Sequence, residues 1–425
     1  MSFAFLVVSV VCVLAVLNAY HPVRREPVTA VSFFAGWFVG ELAVQNIVVE
    51  AAAVALFVRF GALRAWPGDL ALALAVAGCL GLIGLAVSGA RAASVVTEAL
   101  RDATGPPLGV SAPPPAAWAR WWRLLRAVPV RTSGAEIVRN LDYWGDGIRR
   151  HRLDVLRPRG VTSGAPVMIY IHGGAWIIGD KREQGRPMLY ELVARGWVCV
   201  ALNYRLSPRA TWPDHIVDCK RAIAWVRAHI AEYGGDPSFI ALSGGSAGGH
   251  LSALAALTAG DSTWQPGFET ADTSVDACLP SYGVMDMTGD PSAGGKYGPG
   301  LLGLLERRVM KATFADRPDL FEEASPTRRV HAGAPPFFVM HGRNDTLVPV
   351  EVARQFVDAL RAVSAAPVAY AELPLAQHAF DVLASPRSRA TSAGTVAFLD
   401  AVRATGAGGQ VRDDAQSPAR PPLPG

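Results

Sequence analysis

The sequence predicts an α/β fold with a mostly parallel central sheet, preceded by an α-helical transmembrane region. Three observations carry this. From about residue 150 onward, short apolar runs alternate with segments of helical spacing, which is what a sheet buried on both faces requires. One of those runs, Phe239-Ile240-Ala241-Leu242, passes through a glycine-rich pentapeptide into the helix-like His250-Leu251-Ser252-Ala253-Leu254. The first ninety or so residues hold three long apolar stretches, so the 51% hydrophobic and 18% charged content describes a chain of two unlike parts.

At the amino terminus, Phe3 to Tyr20 and Leu70 to Ala90 are apolar stretches close to the roughly 20 residues that cross about 30 Å of hydrocarbon. A cleaved leader is the alternative for the first stretch. Against it stand the lack of a basic start, the long apolar run and the two apolar segments that follow. Val28 to Val58 is longer, and about 30 helical residues would extend roughly 45 Å, so Gly36 and Gly40 are candidate break points. Glu41, Gln45, Asn46 and Glu50 share no single stripe, and no Lys, Arg or His lies in the three segments. They are expected near an interface or packed on the other helices.

Residues 1–102 therefore read as a multi-pass anchor in the cell membrane, with three helices expected and a two-span or re-entrant arrangement as the variant. Three spans place Arg24, Arg25, Arg91 and Arg101 on one side and Arg59 and Arg64 on the other. The excess of basic residues marks the first side, and with it the folded domain, as cytoplasmic. Residues 103–117 read as a stiff Pro-rich linker. In residues 118–150, Trp118, Trp121, Trp122 and Leu125 oppose Arg120, Arg123 and Arg126, an amphipathic segment suited to the headgroup region or to capping a site mouth. Residues 151–403 carry the α/β domain, and 404–425 lack the apolar content to fold.

Within that domain, Leu153-Asp154-Val155-Leu156 reads as an antiparallel lead-in strand. Strands follow at Pro166 to Ile171, Trp197 to Leu202, Phe239 to Leu242, Ala277 to Tyr282, Pro336 to Met340 and Val368 to Leu373, with helices such as Ile216 to Tyr233 and Val350 to Val363 between them. Gly283 to Ala324 is irregular, a candidate lid or pocket entrance.

Gly244-Gly245-Ser246-Ala247-Gly248 has the form of a nucleophile elbow, in which a tight strand-to-helix turn exposes a serine hydroxyl to a base. Upstream, the strand ending at Ile171 runs into His172-Gly173-Gly174-Ala175-Trp176. The Gly173 and Gly174 amides there, with that of Ala247 at the helix start, are the candidate oxyanion hole. Downstream, Asp345 follows a strand and His378 lies about thirty residues further on, giving the order nucleophile, acid, base. His378 would take the Ser246 proton, and Asp345 would fix the imidazole tautomer. Asp381 competes as the acid but lies three residues past His378, poorly placed for its Nδ1 proton. His172, His250 and His341 read as turn or packing histidines, with His172 tying down the oxyanion loop.

His172 to Trp176, Asn203-Tyr204-Arg205-Leu206-Ser207-Pro208, the serine elbow, Ser325-Pro326 and His341 to Asp345 together resemble the esterase/lipase family of α/β-hydrolases related to hormone-sensitive lipase, over roughly residues 150 to 403. Ala175 stands where that group carries a third glycine, a feature similar to the carboxylesterases and arylformamidases of the same superfamily. With its apolar amino-terminal region, the chain resembles the membrane-associated Lip-type carboxylesterases of mycobacteria and other actinobacteria.

The resemblance implies an α/β-hydrolase fold and a serine carboxylesterase or lipase that forms an acyl-enzyme on Ser246. It needs no cofactor and no metal. The substrate would be a small-molecule or lipid ester met at the membrane. An acyltransferase or an arylformamidase-like amidohydrolase would use the same triad, and a catalytically idle membrane-tethered binding module is the alternative of another class. A net charge of +4 without a compact basic tract argues against nucleic acid as a partner. The five cysteines form no disulfide framework and read as reduced packing residues.

Overall fold

A computed structural model describes residues 1–105, 127–128, 134–289 and 299–406. The linker prolines from Pro106, the tryptophans and arginines of 118–126 and the tail from 407 lie outside the described residues.

Eight strands form one sheet: β1 (Ala135–Asp142), β2 (Arg152–Pro158), β3 (Ala165–Ile171), β4 (Val198–Leu202), β5 (Gly235–Gly245), β6 (Ala277–Ser281), β7 (Phe337–Gly342) and β8 (Val368–Leu373), in the order β1-β2-β4-β3-β5-β6-β7-β8. β2 runs antiparallel to β1 and β4, and every later neighbour is parallel. The lead-in strand and the six apolar runs are thus all strands. β1 lies within the segment read above as amphipathic, so the sheet begins before residue 151. Its half-exposed edge position gives it no apolar run to be recognised by.

Side chains alternate between two cores, as pleating dictates. Val167, Ile169 and Ile171 of β3 face α6 (Asp214–His229), α7 (Ala247–Leu257) and α10 (Val350–Val363). Met168 and Tyr170 face α5 (Arg186–Ala194) and α11 (Pro386–Thr405). Between β6 and β7 lie the short helices α8 (Pro299–Leu304) and α9 (Pro318–Glu323).

The amino-terminal region comprises α1 (Ser2–Tyr20), α2 (Thr29–Glu41), α3 (Ala43–Arg59) and α4 (Pro67–Thr104). By length and composition α1 and α4 can each cross a membrane, and α2 with α3 passes the same test as a pair bent by 89°. The bend falls at Leu42, between the two helices. Gly36 and Gly40 lie inside α2; a Cβ on Gly36 would sit 3.3 Å from Asn18 Nδ2, whereas one on Gly40 would meet nothing within 4 Å.

α1, α3 and α4 run side by side. Phe5 clusters with Ala71, Ala75, Val54 and Phe57 at one end, and Val16 with Leu82, Leu85 and Ala43 at the other, so α3 is antiparallel to α1 and α4. With 38 residues, α4 extends about 57 Å, far more than a bilayer core needs. Its second half does other work: Ala92, Val96, Ala99 and Leu100 join Phe338, Val396 and Phe398 in the second core of the sheet.

One ion pair locks the two regions together. Arg387 of α11 places Nη1 3.0 Å from Glu41 Oε1 at the end of α2, with both side chains 1% exposed. The same guanidinium donates to the carbonyls of Gly40 and Pro374. Glu41 therefore finds a cation 346 residues away in the chain. Glu50 packs against Gly78 of α4, where a Cβ would stand 2.8 Å from Glu50 Oε1. All five cysteines are free thiols.

Removing one partner of a dry ion pair strands the other charge, so Arg387→Met should cost about 3–5 kcal/mol. The expected outcome is a clearly lower melting temperature in detergent, with Arg387→Met combined with Glu41→Leu recovering most of it.

Candidate active site

The parallel strands end along one edge of the sheet, the edge where open α/β sheets build their sites. β3 and β5 are in register with Ile171 opposite Gly244, so the loop at His172 and the turn at Ser246 emerge side by side. β7 and β8 pair Gly342 with Leu373, and the loops carrying Asp345 and His378 emerge together in the same way.

Ser246 is the N-cap of α7 at φ 57°, ψ −120°, a region that L-residues occupy at a cost of about 1–3 kcal/mol. The turn is over-determined. The Ser246 amide donates to the Ser281 carbonyl at 3.0 Å, and its own carbonyl accepts from the His250 amide at 3.0 Å. A Cβ on Gly248 would stand 2.0 Å from the Ile171 carbonyl oxygen, so only glycine lets α7 start this close to β3. Ser246 remains partly exposed while its neighbours are buried. No side chain caps the first turn of α7, which leaves its amides, including that of Ala247, directed toward the elbow.

His378 Nδ1 lies 2.6 Å from Asp345 Oδ2, with both residues almost fully buried. The other Asp345 oxygen accepts from the Leu347 and Val348 amides at 2.8 and 2.9 Å. Burial pushes the Asp345 carboxyl up, but the charges and hydrogen bonds of His378 and His341 outweigh it and hold the group well below the usual carboxylate range. His341 Nε2 lies 3.2 Å from Asp345 Oδ2 and 3.0 Å from the Val348 carbonyl, so it braces the acid as well as packing. Gln377 ties the two loops together, its Oε1 accepting from the Thr346 amide at 2.8 Å and the His378 amide at 2.9 Å.

Tyr282 bridges the elbow and the imidazole. Its ring centroid is 4.6 Å from that of His378, and a Cβ on Gly245 would collide with its phenol. Its hydroxyl donates to Asp381, which accounts for the competing carboxylate: Asp381 belongs to Tyr282 and not to His378 Nδ1. Among the described residues Ser246 Oγ makes no hydrogen bond to His378, a contact that commonly tightens only when substrate binds.

On the opposite side of Ser246, the His172 ring donates from Nδ1 to the Gly173 carbonyl at 2.7 Å and stacks on Tyr204. Burial lowers its pKa to about 4, so it is a neutral tie holding the loop. The Gly173 amide donates to Gln184 Oε1 at 2.8 Å, so a side-chain carbonyl already occupies this candidate oxyanion donor. Gly174 follows at φ 117°, and Ala175 and Trp176 also have positive φ. His250 is a packing residue. Its Nε2 faces the Ala324 carbonyl at 2.7 Å, and buried Trp176 and Trp212 lie against its ring.

Sequence reasoning missed Gln184, Gln377 and the bracing role of His341. Gln377 directly precedes His378, but nothing in a single sequence distinguishes a loop amide that bridges to a distant turn.

The chain as a whole is similar to known proteins. The BD-FAE family model matches residues 153–360. "Probable carboxylic ester hydrolase LipM" of Mycobacterium tuberculosis is 44% identical over 412 residues, covering 94% of this chain and 93% of that protein. "Esterase LipQ" of the same organism is 51% identical over 261 residues, 61% of each chain. Among solved structures, esterase 2 of Thermogutta terrifontis phosphonylated by sarin superposes with a TM-score of 0.50 at 26% identity, covering 64% of this chain and 94% of that one.

Two outcomes follow from this geometry. Gly248→Ala should disrupt the elbow, with fluorophosphonate labelling abolished. The Asp345 carboxyl titrates lower folded than unfolded, so it contributes stability above about pH 4 that disappears as the pH falls toward its folded pKa. Denaturant melts of wild type and Asp345→Asn should therefore differ most near neutrality and converge in acid.

Proposed function

The chain belongs to the α/β-hydrolase esterase family, and we propose that it is a membrane-anchored serine carboxylesterase with Ser246, His378 and Asp345 as its triad. The observation that carries the reading is the buried 2.6 Å contact of His378 Nδ1 with Asp345, made beside a strained serine elbow. That contact leaves Nε2 as the basic nitrogen. His378 takes the Ser246 proton as Oγ attacks the ester carbonyl, and the resulting oxyanion is met by the Ala247 and Gly174 amides. The Gly173 amide joins them once the substrate oxygen replaces Gln184 Oε1. Collapse expels the alcohol, which takes the proton from His378. Water, deprotonated by the same nitrogen, then releases the acid and restores Ser246.

Three crossings are assigned to α1, the α3 arm of the bent α2–α3 pair and the first half of α4. α2 then lies on the same side as the sheet, with Arg24, Arg25, Arg91 and Arg101, while Arg59 and Arg64 fall on the other, which favours a cytoplasmic active site. A site held at the bilayer favours esters that partition into membranes, whose local concentration there is high. The resemblance to arylformamidases keeps amide hydrolysis as the second chemistry, and added alcohols or amines would reveal acyl transfer.

Ser246→Ala should lower hydrolysis of p-nitrophenyl esters by at least about a thousandfold and abolish fluorophosphonate labelling. A folded wild-type protein that neither labels nor hydrolyses any ester in a short-to-long acyl series would overturn the assignment in favour of a binding role.

A further inference from the structure

The loops that carry the proposed acid and base do not stand on the α/β domain alone. The Asn344 side chain, one residue before Asp345, donates from Nδ2 to the Ala19 carbonyl at 2.9 Å and the Tyr20 carbonyl at 3.1 Å. Those are last-turn carbonyls of α1, which the helix itself cannot satisfy. On the other loop, the Trp37 indole of α2 donates from Nε1 to the Ala379 carbonyl at 2.9 Å. Ala379 follows His378 and has φ 60°, a left-handed conformation that an alanine holds only with outside support. One turn before Trp37, Phe33 meets the His378 imidazole edge-on, with ring centroids 6.3 Å apart.

These contacts converge on one small unit. Gln377 joins the two loops to each other, α1 holds the acid side and α2 the base side. The Arg387–Glu41 pair fixes the end of α2 against the same domain. Nothing in this arrangement is needed for tethering, which a flexible linker achieves. What it does is restrict where the imidazole can sit, and a displacement of about 1 Å in a reacting group can cost a hundredfold in rate.

We propose that the membrane region is a working part of the active site: α1 and α2 position Asp345 and His378 through Asn344, Trp37 and Phe33. This rests on the assignment of His378 as the base. Asn344, Trp37 and Phe33 are positioning residues, acting through the two loops, and the effect belongs to the chemical step and not to substrate affinity.

The test uses the full-length protein in detergent with a short, soluble p-nitrophenyl ester, and active sites counted by exhaustive fluorophosphonate labelling. Trp37→Phe keeps an aromatic ring and removes only the N–H donor, while Asn344→Ala removes the tie to α1. Each should lower kcat per labelled site about tenfold or more with KM within twofold of wild type. Val31→Ala, on the exposed side of α2, should leave both constants unchanged. The proposal is overturned if Trp37→Phe and Asn344→Ala keep kcat per labelled site within twofold. It is equally overturned if activity falls only in proportion to the number of labelled sites, or if KM changes and kcat does not. Absence of labelling in the wild type would instead strike the serine mechanism itself, so the two failures are distinguishable.

Discussion

A carboxylate with almost no access to water must be compensated completely, and Asp345 is such a group. Two backbone amides take one of its oxygens, while His378 and His341 take the other. Satisfying it draws the β7 and β8 loops into one unit, since the imidazole that answers Asp345 comes from one and the amides from the other. Gln377 closes the unit by accepting amides from both. The close fit shows at Gly342, where a Cβ would stand 2.4 Å from the Ala376 carbonyl oxygen.

The serine side is governed by steric closeness instead of charge. β5 enters the sheet between β3 and β6, so the turn at its end has neighbours on both sides. Ser281 accepts its amide hydrogen, Ile171 crowds Gly248, and Tyr282 fills the space over Gly245. The strain at Ser246 persists because all of these contacts would be lost together if the turn relaxed. Tyr282, held by Asp381, is also the surface against which the His378 ring rests, so the two halves of the site meet on one side chain.

The apolar amino-terminal region is joined to this centre by the second half of α4 in the sheet core, by the Arg387–Glu41 pair, and by the contacts of α1 and α2 with the loops of Asp345 and His378. A boundary drawn by composition near residue 102 therefore does not mark a change of folding unit. α4, long and apolar enough to cross a membrane, continues directly into the second core of the sheet. The 89° bend after α2 suits this role, because it lets α2 lie along the domain while α3 turns back alongside α1 and α4.

Much of this was legible in the amino-acid order, because its causes are local or repeat with a short period. Apolar runs such as Val167 to Ile171 need burial on two faces wherever they sit, and Gly244 to Gly248 describes its own turn. The order of Ser246, Asp345 and His378 along the chain is itself the pattern on which the proposed triad rests. Weakly patterned elements escaped: β1 is a half-exposed edge, and the break after α2 falls at Leu42, a residue with no local signal. So did pairings that no motif announces, including Glu41 with Arg387, Gln184 with the Gly173 amide, His341 with Asp345 and Trp37 with Ala379. A periodic pattern records what kind of surroundings each residue requires. Only the packed chain decides which residue supplies them, because these partners lie from four to several hundred positions away and meet through strand register and helix docking.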